Sequence, residues 1–159
     1  MSSKQKKNIA IFASGTGTNA ANIIRYFSEK RTAQIALIVS NNPTAGVLKI
    51  AEENNISTLL LQKEKFFRGD AYVPELQHAA IDFIVLAGFL WKLPSALINA
   101  YRDNIINIHP ALLPKYGGKG MYGNFVHEAV LSTKEKESGI TIHFADECYD
   151  NGKIIFQTT

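Results

Sequence analysis

The chain has 159 residues, 46% hydrophobic and 19% charged, which fits one folded domain (1–159) with its own core and excludes a disordered chain. No apolar run reaches the roughly 18 residues of a membrane helix, and the single cysteine, Cys148, excludes an internal disulfide and a cysteine-built metal cluster. Net charge is +3, much of it in Lys4, Lys6 and Lys7 of an expected frayed tail; this suits ordinary surface charge or an anionic small substrate, and no stripe of basic and aromatic residues points to nucleic acid.

Asn8–Ala13 is a short apolar run, too short for a signal-peptide core, so a cytoplasmic protein is expected. Thr18–Glu29 carries Ala20, Ile23, Ile24 and Phe27 at helical spacing. Ala33–Ser40 reads as a strand, with a turn after it. Val47–Asn54 reads as a helix and Ser57–Leu61 as a strand. Asp70–Ala79 is helical, with Pro74 in its first turn. Phe83–Ala87 (FIVLA) is a buried-type strand, and Pro94–Tyr101 a short helix opening on proline. Asn104–Ile108 is a strand, Phe125–Thr133 a helix, and Gly139–Phe144 and Lys153–Gln157 are strands. Apolar strands without alternation, separated by helices, predict a doubly wound α/β fold: a mostly parallel sheet with helices on both faces. The chain ends at or inside a strand, so a truncated C-terminus is expected.

In such sheets, sites lie beyond the carboxyl ends of the strands. After the first strand comes Ser14-Gly15-Thr16-Gly17-Thr18-Asn19, then a helix. Glycines permit close backbone approach, and a helix N-terminus offers free N–H groups, so the loop suits a single phosphate. Ala20 stands where a dinucleotide fingerprint needs its third glycine, and no Gly-Lys-Ser/Thr follows. A tight turn capped by Thr18 or Asn19 explains the same residues without a ligand.

Asn107 and His109 share one face of a strand, while Ile108 points to the other face and Pro110 ends the strand. An amide can donate to an oxygen that gains negative charge, and an imidazole moves protons near neutral pH. The pair therefore suits attack on a carbonyl-like carbon, or else a hydrogen-bonded strand end with no chemistry. His127 and His143 show no metal-ligand spacing, so no metal is expected. A carboxylate to orient His109 would come from Asp146, Glu147 or Asp150, and spacing leaves the three open.

SGTGTN, IVSNN, IVLAGFLWKLP, NIHPALLPKYGGKGMYG and ADECYDNGKII, in this order, resemble the phosphoribosylglycinamide formyltransferases. The resemblance runs from Ile9 to Gln157 and implies their Rossmann-like formyltransferase fold. It also implies transfer of a formyl group from 10-formyltetrahydrofolate, the co-substrate, to the amine of glycinamide ribonucleotide in purine biosynthesis. By resemblance Asn107, His109 and Asp150 are catalytic; Gly17, Thr18, Asn19, Ala20 and Ala21 hold the acceptor's phosphate. Leu90, Trp91, Lys92 and Leu93 lie beside the pterin, with Ala145 and Asp146 opening the other wall; Asn107 touches folate as well, and Arg68 is assigned to it. Many members carry an arginine where this chain has Trp91 and Lys92, and the glycine loop Gly117–Gly123 is longer here, like a flap. The family also continues beyond the last residue of this chain. Partners implied are these two small molecules, no nucleic acid and no membrane, in a monomer or homodimer. The alternatives are a formyltetrahydrofolate hydrolase, a methionyl-tRNA formyltransferase, and a non-catalytic phosphate- or nucleotide-binding α/β domain.

Overall fold

Alternation along the central strands feeds two apolar layers at once. The computed structural model describes residues 6–159. Its elements are β1 (Lys7–Phe12), α1 (Thr18–Lys30), β2 (Ala33–Ser40), α2 (Gly46–Glu53), β3 (Ser57–Leu60), α3 (Lys63–Arg68) and α4 (Val73–His78). β4 (Phe83–Leu86), α5 (Ser95–Ala100), β5 (Ile105–His109), α6 (Asn124–Ser132), β6 (Ile140–Phe144) and β7 (Ile154–Thr158) follow. On β1, Ala10 and Phe12 enter the layer filled by Phe66, Leu76 and Leu97 of α3, α4 and α5. Ile9 and Ile11 enter the opposite layer, with Ile24 of α1 and Val47 and Ala51 of α2. A strand buried on both faces reads as continuous apolar sequence, which is why these runs do not alternate.

One seven-stranded sheet results, in the order β3-β2-β1-β4-β5-β6-β7. β1 to β5 are parallel, and β6 and β7 add antiparallel to β5. The chain winds outward from β1 to β3 and returns to β4, so the loops after β1 and β4 part and open a crevice above the sheet. The last strand, β7, is an edge whose residues are all exposed.

Several boundaries differ from those read in the sequence. Lys7 opens β1 and pairs with Asp82 at 3.8 Å instead of belonging to a tail, and Lys4 lies outside the described residues. β5 runs through His109. The segment Lys63–Arg68 forms a helix, α3, where none is legible. Among the described residues, no helix is long and apolar enough to cross a membrane.

Candidate active site

The loop after β1 ends on Gly17, the N-cap of α1, at φ 83°. Left-handed backbone strains any residue with a Cβ, and a Cβ here would stand 2.8 Å from Val47 Cα. No side chain caps α1, which removes the reading of Thr18 or Asn19 as a cap and leaves the first-turn N–H groups available to an anion. Thr18 and Asn19 are exposed, whereas Ala20 is fully buried in the core and Ala21 half-buried, so Ala20 offers a ligand only its backbone. Asn19 also reaches the edge of the main cleft.

β5 sets the second group. Ile106 and Ile108 pack with the α1–α2 layer, while Ile105 enters the opposite core. Alternation therefore puts Asn107 and His109 on the face shared with Ile105. His109 is 3% exposed. Its Nε2 lies 2.7 Å from the Tyr116 carbonyl oxygen, which can only accept, so Nε2 carries a proton. Its Nδ1 lies 3.5 Å from Asp150 Oδ1.

Asp150 alone of the three open carboxylates turns inward. Asp146 and Glu147 are exposed, and Asp146 accepts from the Cys148 N–H. Asp150 sits at φ 52° just before β7, and the turn that presents it runs so close to β6 that a Cβ on Gly152 would lie 1.7 Å from the Phe144 carbonyl oxygen. Asp150 Oδ2 accepts from the Gly118 N–H at 3.0 Å. Burial alone would raise the Asp150 pKa. Its contact with His143, the hydrogen bond from the Gly118 N–H and the electrostatic influence of the His109 and His143 rings outweigh it and hold the carboxyl below its ordinary value.

Asn107 stands differently from expectation. Its Nδ2 lies 3.1 Å from His143 Nε2 and 3.3 Å from Asp150 Oδ1, so the amide nitrogen has partners inside the protein. His143 enters because β6 pairs with β5 in the register that opposes Asn107 to His143. Sequence reading missed this role, and the available signal was a histidine alternating with isoleucines on a short strand.

These groups close the back of a cleft. One wall is Leu90–Leu93 with Phe89, the other runs from Ala145 through Asp146 to Asp150, and Gly118–Gly123 borders a third side. Trp91 is wedged against Phe66 and Phe67 of α3, with ring centroids at 5.6 Å and 5.3 Å. Leu93 is buried and Leu90 half-exposed. Lys92 lies over the Tyr149 ring at 5.5 Å and joins the two walls. The glycine loop is tied in, by Tyr116 to His109 and by Gly118 to Asp150, so it forms cleft wall rather than a detached flap. Arg68 does not line the cleft, because α3 turns it outward to Glu64 at 3.0 Å. Among the described residues, no group of three His, Cys, Asp or Glu is arranged to hold a metal.

Known proteins share this arrangement of strands and loops. The family model described as formyl transferase matches residues 7–159. The chloroplastic phosphoribosylglycinamide formyltransferase of Arabidopsis thaliana is 39% identical over 97% of this chain and 55% of its own length. The phosphoribosylglycinamide formyltransferase of Bacillus subtilis is 34% identical over 95% of this chain and 77% of its own. The crystal structure of the Bacillus halodurans phosphoribosylglycinamide formyltransferase superposes with a TM-score of 0.85 at 35% identity, covering 96% of this chain and 78% of that one. The chain thus spans about half the length of the plant relatives it matches.

Proposed function

Because this chain belongs to the formyl transferase family, we propose that it moves the formyl group of 10-formyltetrahydrofolate to the amine of glycinamide ribonucleotide. The reading is carried by the convergence of Asn107, His109 and Asp150 at the back of a cleft that Asn19, at the α1 N-terminus, also borders. The names of the similar proteins support the acceptor. One sheet carries every group involved, which supports treating 1–159 as a single catalytic domain.

The acceptor's phosphate takes the free N–H groups of α1 beyond Gly17, assisted by Thr18 and Asn19. The folate ring lies between Leu90–Leu93 and Ala145–Asp150, an apolar slot with polar groups at its back. Arg68 takes no part in this arrangement. Holding both substrates together supplies much of the acceleration.

The amine attacks the formyl carbon, a new C–N bond forms, and the carbonyl oxygen becomes an oxyanion. Collapse re-forms the carbonyl and breaks the bond to the folate nitrogen. The amine loses one proton and the folate nitrogen gains one. His109 Nε2–H is committed to Tyr116, so the proton it relays sits at Nδ1, beside Asp150. Asn107 donates to the oxyanion once its N–H groups are released. No step calls for a metal or a covalent enzyme intermediate.

The test follows loss of 10-formyltetrahydrofolate with and without glycinamide ribonucleotide. Acceptor-dependent loss is expected. Formyl release to water without acceptor would make the chain a hydrolase, and no turnover with retained phosphate-ligand binding would leave a binding domain.

A further inference from the structure

Asn107 is held from within the protein. Its amide nitrogen lies 3.1 Å from His143 Nε2 and 3.3 Å from Asp150 Oδ1. His143 is 2% exposed, and its Nδ1 lies 2.9 Å from the Phe144 carbonyl oxygen. A carbonyl only accepts, so Nδ1 carries the proton. The neutral ring then has a bare Nε2, the acceptor that holds Asn107 in place.

We propose that His143 is a positioning residue for the formyl transfer: its bare Nε2, opposite Asn107 in register, sets the rotation of the Asn107 amide at the back of the cleft. An amide so held meets the oxygen that gains charge without a search over orientations, and one N–H passes to that oxygen as it becomes the stronger acceptor. The groups facing this ring are few: Asn107 from β5, opposite it in register, and Asp150 from the turn before β7, whose Oδ1 lies 3.5 Å from His143 Nε2. The same Oδ1 lies 3.5 Å from His109 Nδ1. From β7, the register partner of His143 is Ile154, which brings no charge.

The inference rests on the proposed function through Asn107 as the donor to the formyl oxygen, so one arm of its test needs no turnover. Imidazole 15N spectra of the unsubstituted protein should show neutral His143 with its proton on Nδ1; a proton on Nε2 overturns the inference. The second arm measures formyl transfer for His143→Ala, His143→Gln, Asn107→Ala and the double variants. His143→Ala should lower kcat while KM for both substrates stays within about threefold. In the Asn107→Ala background the same change should cost about fivefold less or better, the coupling of residues that act through each other. Additive losses in kcat overturn the positioning role, because a purely structural histidine gives additive effects. His143→Gln, whose amide oxygen restores an acceptor to this position, should recover part of kcat; recovery no better than His143→Ala counts against the inference. The expected 15N spectrum with no transfer by the unsubstituted protein would overturn the functional reading and this catalytic role with it.

Discussion

The Leu90 N–H donates to Ser14 Oγ at 2.9 Å, a bond between residues 76 apart in sequence that joins the loop after β1 to the cleft wall. Ser14 is buried and donates in turn to Asn41 Oδ1 at 2.5 Å. One hydroxyl therefore fixes the loops after β1, β2 and β4 relative to one another. Ser14→Ala strands a part-buried acceptor, Asn41 Oδ1, and a backbone donor, which should cost about 1 kcal/mol of stability. Urea denaturation measures that loss, and KM for the folate substrate should rise because Leu90 begins the wall proposed to hold folate. Unchanged stability and KM would show that the link carries no energy.

His109 is held at both nitrogens, by the Tyr116 carbonyl and by Asp150. A ring so fixed cannot be replaced by a neighbour, since His143 is tied to Phe144 and Asn107. His109→Ala should lower turnover about 100-fold or more, the usual worth of a positioned acid–base group. Steady-state formyl transfer decides it, and near-normal turnover would remove His109 from the mechanism.

Asp150 also links stability to pH. Its folded pKa is held below the ordinary 3.8, because the contact with His143 and the hydrogen bond from the Gly118 N–H outweigh the cost of burial. Between the folded and the ordinary value the unfolded chain binds more protons, so stability rises with pH through that window. The contribution is complete above the ordinary value and is lost as pH falls through the folded one. Denaturation between about pH 6 and about pH 3 should show a shallower acid loss in Asp150→Asn than in the unsubstituted protein. Equal slopes would mean that the carboxylate gains nothing from its partners.

The core strands were legible because burial on both faces leaves unbroken apolar runs, as in residues 35–39 of β2 and in Phe83–Leu86. Asn107 and His109 were legible as a pair because strand geometry fixes residues two apart on one face. α3 was not, since six residues with Phe66 alone buried make no period. The choice of Asp150 over Asp146 and Glu147 depends on a left-handed residue in a tight turn, and spacing says nothing of where such a turn points. The contact of His143 with Asn107 depends on strand register, which is decided by pairing and not by either strand alone.

Gly17 is the point where backbone geometry and the acceptor site meet. It holds a left-handed φ of 83° and caps α1 without a side chain. A methyl group there would stand 2.8 Å from both Val47 Cα and Val47 Cβ and 2.9 Å from Ile50 Cδ1. Part of that obstacle is backbone of α2, so either α2 or the loop must move. Strain of this kind costs about 1–3 kcal/mol, and a thermal melt of Gly17→Ala should register it. The displaced loop also misaligns the N–H groups of the first turn of α1. KM for glycinamide ribonucleotide should therefore rise well above its original value, while KM for the folate, which meets other walls of the cleft, changes less. An equal rise in both constants would mean that the loop supports the whole cleft and does not act as the phosphate seat.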